Sequence, residues 1–164
     1  MYTYTKISLY VLYMPKTKSN KPSLRTSRRR QGSGVNNSKK SHIVRMFLEM
    51  LNVVKLYHWK TRSFAQHKAT DELYGRLNEH IDTFVEVLLG KDQSRIQMVE
   101  RSIQLMDPSK KTDFQNKVLE YRGFLTDMNI YFDPARDTDL LNIRDEILGD
   151  INQFLYLMTF DKWA

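Results

Sequence analysis

Four side chains able to bind a metal, His67, Asp71, Asp82 and Glu86, stand on the stretch HWKTRSFAQHKATDELYGRLNEHIDTFVEVLLG, residues 58–90. Imidazole nitrogen mixed with hard carboxylate oxygen suits Fe(II), Mn(II) or Zn(II) better than magnesium. On an α-helix the four fall close to one face, yet Asp71 and Asp82 are about 16 Å apart along the axis. One ion cannot touch both pairs within a single chain. The spacing suggests how they could meet: His67 and Glu86 stand equally far from a point near Arg76, and so do Asp71 and Asp82. Two such helices packed antiparallel about a two-fold axis at that point would set His67 against Glu86 of a second copy. Asp71 would meet Asp82 of that copy, and the symmetry would repeat the cluster.

His58 falls next on the apolar stripe of the preceding helix and would add a second imidazole. Gly75, beside the axis, would permit close helix approach or would merely weaken the helix. The Glu-x-x-His pattern of di-iron sites inside bundles is absent, which favours a site between subunits. The competing reading is plain: a solvated acidic face and a core histidine whose hydrogen bonds are satisfied. His80 projects to another side and receives no role, while Glu72, Glu79, Arg76 and Lys68 read as solvated charges. Tyr57 and Trp59 read as packing residues.

The elements that must position these groups are helical. Val44, Phe47, Leu51, Val54 and His58 recur at helical spacing, with Ser38 or Ser41 as the expected cap. A loop around Thr61 and Ser63 leads to a second helix, Phe64 to Leu89, with Gly90 placed to stop it. Residues 91–107 suggest a short connecting helix with Ile96, Val99, Ile103 and Met106 on one side, broken at Asp107–Pro108. A third helix, about 109–131, carries Phe114, Val118, Tyr121, Leu125 and Met128. The fourth, about 137–159, carries Leu140, Ile143, Ile147, Ile151, Phe154 and Met158. The expected fold class is all-α, a four-helix bundle over residues 41–160 with a connecting helix between helices 2 and 3, and a tail at 161–164.

The formal net charge of +7 divides unevenly. Residues 1–40 hold ten Lys or Arg and no Asp or Glu, whereas the other 124 hold 16 basic and 19 acidic side chains. A mildly acidic domain thus follows a basic arm, expected to be disordered over 15–40 because it has so little apolar surface to bury. Lys16, Lys18, Lys21, Arg25, Arg28, Arg29, Arg30, Lys39 and Lys40 could neutralise DNA or RNA phosphates without reading sequence. A nuclear-localisation signal around RTSRRR and a solubilising tail are the alternatives. The arm has no aromatic residue between 15 and 40, which argues against base stacking. The opening MYTYTKISLYVLYM lacks a basic n-region and a small-residue cleavage site, unlike a secretory leader. Residues 1–13 could equally precede a true start at Met14. No apolar run reaches the roughly 20 residues a membrane span needs. With no cysteine, thiol catalysis, disulfides and cysteine-bound zinc are excluded.

HW at 58–59, Phe64, H-x-x-x-D at 67–71 and H-I-D-T-x-x-E at 80–86 resemble the Dps family of mini-ferritins. DTDLLNIRDEILGDINQFLYLMTF resembles that family's last helix, and the chain is similar, too, to ferritin-like proteins of large DNA viruses. The resemblance implies a ferritin-like bundle and a ferroxidase centre built from His58, His67 and Asp71 of one subunit with Asp82 and Glu86 of its two-fold mate. It implies iron as the metal, with manganese or zinc as the chemical alternatives, and a hollow homo-dodecamer whose basic arm meets DNA. The expected location is the cytoplasm or nucleoid, or a virion. The family spaces its two histidines further apart, around a Gly-containing loop; here nine positions and KTRS stand in its place, which makes His58 the ligand most open to displacement. Two functions follow as expectations: an iron-oxidising, iron-storing protein that coats nucleic acid, or a non-catalytic nucleic-acid-binding or virion structural protein on the same scaffold.

Overall fold

Helices form where apolar residues recur every three or four positions. The computed structural model describes residues 35–100, 102–108 and 110–160; most of the basic arm (1–34) and the tail (161–164) lie outside the described residues. It contains α1 (Asn37–Lys60), α2 (Phe64–Gly90), α3 (Lys111–Asp127) and α4 (Thr138–Leu157), with a 3-10 turn at Met128–Ile130. No strand occurs among the described residues. The expected stripes are the core: Phe47 and Val54 of α1, Phe114, Val118, Tyr121 and Leu125 of α3, and Leu140, Ile147, Ile151 and Phe154 of α4 are buried. Aromatic rings lock the layers, with Phe47 edge-on to Phe84 at 5.2 Å and Tyr57 stacked on Phe114 at 3.9 Å.

α1 begins a turn earlier than expected. Its cap is Asn36, whose side chain accepts the Lys39 amide at 3.0 Å. Ser38 and Ser41 therefore lie inside the helix, and residues 37–40 belong to the bundle rather than to the arm. Val35, just before, is buried in the core. Gly90 does not end α2 by a left-handed conformation: the helix runs through it to the cap Lys91, and the left-handed residue is Gln93, at φ 55°.

The connecting helix is absent. Residues 94–100, 102–108 and 110 carry no helix, and Val99 and Met106 are exposed instead of facing a core. The cause is the polar stripe of α1, which claims this segment's backbone and side chains. Asn37 donates to the Gln97 carbonyl at 3.1 Å, and the Val99 amide donates to Ser41 Oγ at 2.9 Å. Lys40 pairs with Asp92 at 2.5 Å, Arg45 with Glu100 at 2.9 Å, and Lys60 with Asp107. Anchored in that order, the strap runs alongside α1 from its first turn to its last. It delivers α3 to the pole where α1 ends, so α2 and α3 are parallel and α4 returns against both. At the other pole Lys91 holds the α3–α4 turn through Asp137 and Asp139, at 3.0 and 2.8 Å.

One carboxylate lies deep in this bundle. Glu49 accepts from Lys117 at 2.9 Å, Arg45 at 3.2 Å and Tyr121 at 3.2 Å. Burial and the adjacent Glu49 charge push the Tyr121 phenol far up. Burial alone would lower Lys117, but its bonds to Glu49 and Glu120 outweigh that and hold its ammonium above the usual range. Removing Glu49 would leave two cations at the α1–α3 contact without their shared counter-charge. Glu49→Ala is expected to lose about 3–5 kcal/mol in urea unfolding; a loss below about 1 kcal/mol would show the network to be dispensable.

The Lys40–Asp92 pair adds a pH dependence. Hydrogen bonds from Lys40 and Ser94 hold the Asp92 carboxyl below its usual range. Folding favours the ionised form, so the stabilisation is full above the unfolded value of about 3.9 and is lost as pH falls through the lower folded value. Wild type should exceed Asp92→Asn in stability by about 1–2 kcal/mol near pH 6, with the gap closing toward pH 2. A gap that stays constant across that range would contradict this account.

Candidate metal centre

The turn between α1 and α2 has only three residues, Thr61 to Ser63, and its own hydrogen bonds fix it. The Thr61 amide returns to the Tyr57 carbonyl at 2.9 Å, and Ser63 caps α2. Tyr57 and Thr61 hydroxyls both donate to Gln66 Oε1, at 2.6 and 2.9 Å. Tying 57 to 66 sets their neighbours abreast: the rings of His58 and His67 stack with centroids 3.9 Å apart at 24°. KTRS thus serves where a glycine loop was expected, and His58 lies beside His67.

The two histidines hold each other reciprocally. His58 Nδ1 lies 3.0 Å from the His67 carbonyl, and His67 Nδ1 lies 3.0 Å from the His58 carbonyl. A carbonyl only accepts, so each Nδ1 must donate, which leaves each neutral ring with its lone pair on Nε2. Metal-bound histidines are oriented by this kind of second bond. Thr70, fully buried, braces the arrangement: its hydroxyl donates to the Gln66 carbonyl at 2.7 Å and lies 3.3 Å from His58 Nδ1. Asp71 completes the group, with Oδ1 3.9 Å from His58 Nε2.

Asp82 and Glu86 remain apart from this trio. Both are exposed, and neither forms an ion pair or side-chain hydrogen bond among the described residues. By helical rise they stand about 16 Å or more beyond Asp71. Accordingly no three His, Asp or Glu of the described residues could hold a metal ion within one chain. Gly75, between the two halves, has nothing within 4 Å of where a Cβ would stand, so packing inside this chain does not require a glycine there.

Several groups escaped the sequence reading. Lys55, one turn before His58, reaches Asp71 Oδ1 at 3.7 Å and lies over the Tyr74 ring at 4.7 Å. The i, i+3 spacing of Lys55 and His58 was the available signal. Trp59 does not pack in the core but is 68% exposed, whereas Tyr57 is buried. His80 and Arg76 are not idle surface groups: they clamp α4, with His80 Nδ1 2.9 Å and Arg76 Nη1 3.4 Å from the Asp150 carboxylate. Lys40, expected to meet phosphate, is 3% exposed and committed to Asp92. Lys39 stays exposed, its ammonium 5.5 Å from the Tyr131 ring centroid.

A family of unknown function, DUF5856, matches residues 58–158. The chain belongs to that family. No curated protein and no solved structure matches the chain. The DUF5856 span opens at His58 and takes in all five candidate ligands, the strap and α4 as far as its cap. The basic arm and most of α1 precede it. No helix among the described residues is long and apolar enough to cross a membrane.

The reciprocal pairing makes a direct spectroscopic prediction. Long-range proton–nitrogen spectra near pH 8, where an ordinary imidazole is neutral, should show both His58 and His67 protonated at Nδ1. An Nε2-protonated form of either would overturn the lone-pair assignment.

Proposed function

We propose that this protein is a Dps-like mini-ferritin that binds and oxidises Fe(II) between two subunits and carries nucleic acid on its basic arm. The observation that supports this most is a half-site. His58 and His67 turn their Nε2 lone pairs away from their anchoring carbonyls beside Asp71, while Asp82 and Glu86 stand on α2 without partners among the described residues. A single long crossover between the second and third helices also agrees with a ferritin-like bundle. Antiparallel pairing of two α2 helices would give each site two imidazoles and three carboxylates, a set suited to iron, with manganese or zinc as competitors.

Iron is here substrate and cargo. Each bound Fe(II) gives up one electron; two together reduce one peroxide, which takes two protons and leaves as two waters, so no hydroxyl radical escapes near nucleic acid. Oxygen is the alternative acceptor. The chain's own part is to hold the imidazoles fixed through Nδ1 and to supply the carboxylates that favour Fe(III). A closed homo-oligomer, a dodecamer by resemblance, would store the mineral. The arm, from Lys16 to Arg30, with Lys39 exposed on the first turn of α1, would neutralise DNA or RNA phosphates, in a cytoplasmic, nucleoid or virion setting.

A second reading draws on Lys55. Its ammonium lies against Asp71, as it would if the stripe were a polar dimer contact in a non-catalytic scaffold. Anaerobic Fe(II) titration of the oligomer, then peroxide or air, separates the two. Saturable binding and fast oxidation should vanish in His67→Ala and in Asp82→Asn, with assembly retained. Mixing these two inactive chains should then restore activity, because one of the two sites in each mixed dimer has both halves intact. Random mixing predicts about a quarter of the wild-type sites. Recovery of nothing from well-mixed dimers would rule out a shared site, and no binding by wild type would leave the scaffold reading.

A further inference from the structure

An apolar groove opens where α2 begins and α4 ends. Ala65 and Ala69 of α2 form its walls with Leu157, Met158 and Phe160 at the end of α4, Lys68 and Glu72 are its charges, and it holds about 270 Å³. Large aromatic side chains at this pole stand in water: Phe64, the first residue of α2, is 76% exposed, Tyr156 62% and Phe160 60%. Tyr156 and Phe160 meet edge-on at 5.1 Å. Exposed apolar groups gathered around a groove mark a binding surface.

The sequence holds a segment of matching chemistry. Residues 1–14, MYTYTKISLYVLYM, have ten apolar or aromatic side chains and a single charge, Lys6. The twenty residues that follow, 15–34, are of the opposite kind, with Leu24 their one aliphatic side chain beside seven Lys or Arg. An apolar head on a basic tether finds nothing in that tether to bury itself against. Length brings the groove within its reach. α1 has 24 residues and runs about 36 Å from the pole where the arm joins to the pole of the groove, while twenty tether residues span at most about 66 Å. Charge agrees: Glu72 on the rim is exposed, and Arg76 approaches it only to 3.9 Å. The groove takes a few side chains, the scale of a short segment, whereas a stable subunit contact uses roughly 20–30 residues a side.

We propose that residues 1–14 dock in this groove of their own chain, with Lys6 against Glu72. Docked there, the segment carries the basic residues of 15–34 along the bundle instead of leaving them to project from the pole where the arm joins. The groove uses none of the candidate metal ligands, so the proposal does not depend on the iron reading.

The chain has no cysteine, so introduced cysteine pairs report proximity without background. In the full chain, Ser8→Cys is combined with Lys68→Cys at the groove, or with Ala135→Cys, exposed on the α3–α4 turn at the pole where the arm joins. Disulfide formation in oxidised glutathione is followed on non-reducing gels, each rate scaled to the reactivity of its single cysteines. A tether alone favours the nearer Ala135, whereas docking should make the Lys68 pair close about ten times faster, and within one chain. Leu9→Ser plus Leu12→Ser, which leave the bundle untouched, should remove that advantage. Leu157→Ser plus Phe160→Ser should do the same at unchanged helical circular dichroism. Equal rates for the two pairs overturn the proposal and leave the groove to another partner, and an advantage that survives Leu9→Ser plus Leu12→Ser overturns it too. A disulfide formed chiefly between chains also overturns it, because a second copy's segment would then fill the groove.

Discussion

α2 ends at one pole of the bundle and α3 begins at the other, so the chain between them has to travel back along the outside, and it travels along α1. The side chains that hold it, Asn37, Lys40, Ser41, Arg45 and Lys60, lie along the strap-facing side of that helix. This commitment fixes much else. It makes α2 and α3 parallel, it withdraws Lys40 from the arm, and it turns one side of α1 over to polar contacts. Further along the same helix, Lys55 and His58 meet α2 across the three-residue turn. The candidate site issues from that turn: Tyr57 is tied to Gln66, and their successors His58 and His67 face each other.

The carboxylates of this chain differ in how far the fold itself claims their charge. Glu49 is enclosed by Lys117, Arg45 and Tyr121. Its charge is spent inside the fold, and a cation entering there would have to displace two others. Asp82 and Glu86 are exposed, with no cation paired to them among the described residues. An exposed carboxylate keeps its hydration until something better arrives, and a divalent ion shared with imidazoles would be such a partner in the proposed site. The difference lies in placement, because the residue types are alike.

Helical stripes were legible because their signal is local: one chain segment carries the whole pattern, and Phe114, Val118, Tyr121 and Leu125 could be read as a buried row directly. The strap was misread for the same reason. Ile96, Val99, Ile103 and Met106 do have helical spacing, but the hydrogen bonds that decide their conformation come from Asn37 and Ser41, some sixty residues earlier. Ser41 looked like a cap for its own helix and instead serves the strap. His80 and Arg76 were passed over on equal grounds, since Asp150 becomes their neighbour only when α4 packs on α2. The pairing of His58 with His67 was accessible in part: the residues were named from type and spacing, while the carbonyl bonds that orient them depend on the tight geometry of KTRS.

Lys55 sharpens what a second subunit has to contribute. Its ammonium lies 3.7 Å from Asp71, which is 56% exposed, and a pair so open to solvent is worth about 0–1 kcal/mol. One chain therefore sets beside its two imidazoles a single carboxylate that an ammonium already holds lightly, which on the proposed reading is too little negative charge to displace that ammonium. Bringing Asp82 and Glu86 of a second copy to the same point would add two charges that no cation of the described residues claims. The ammonium could then move aside onto the rings of Tyr74 and Trp59, whose centroids already lie 4.7 and 5.9 Å from it. If the proposed site forms, dimer formation and metal binding would be linked, each lowering the cost of the other, because a lone subunit keeps Lys55 against Asp71.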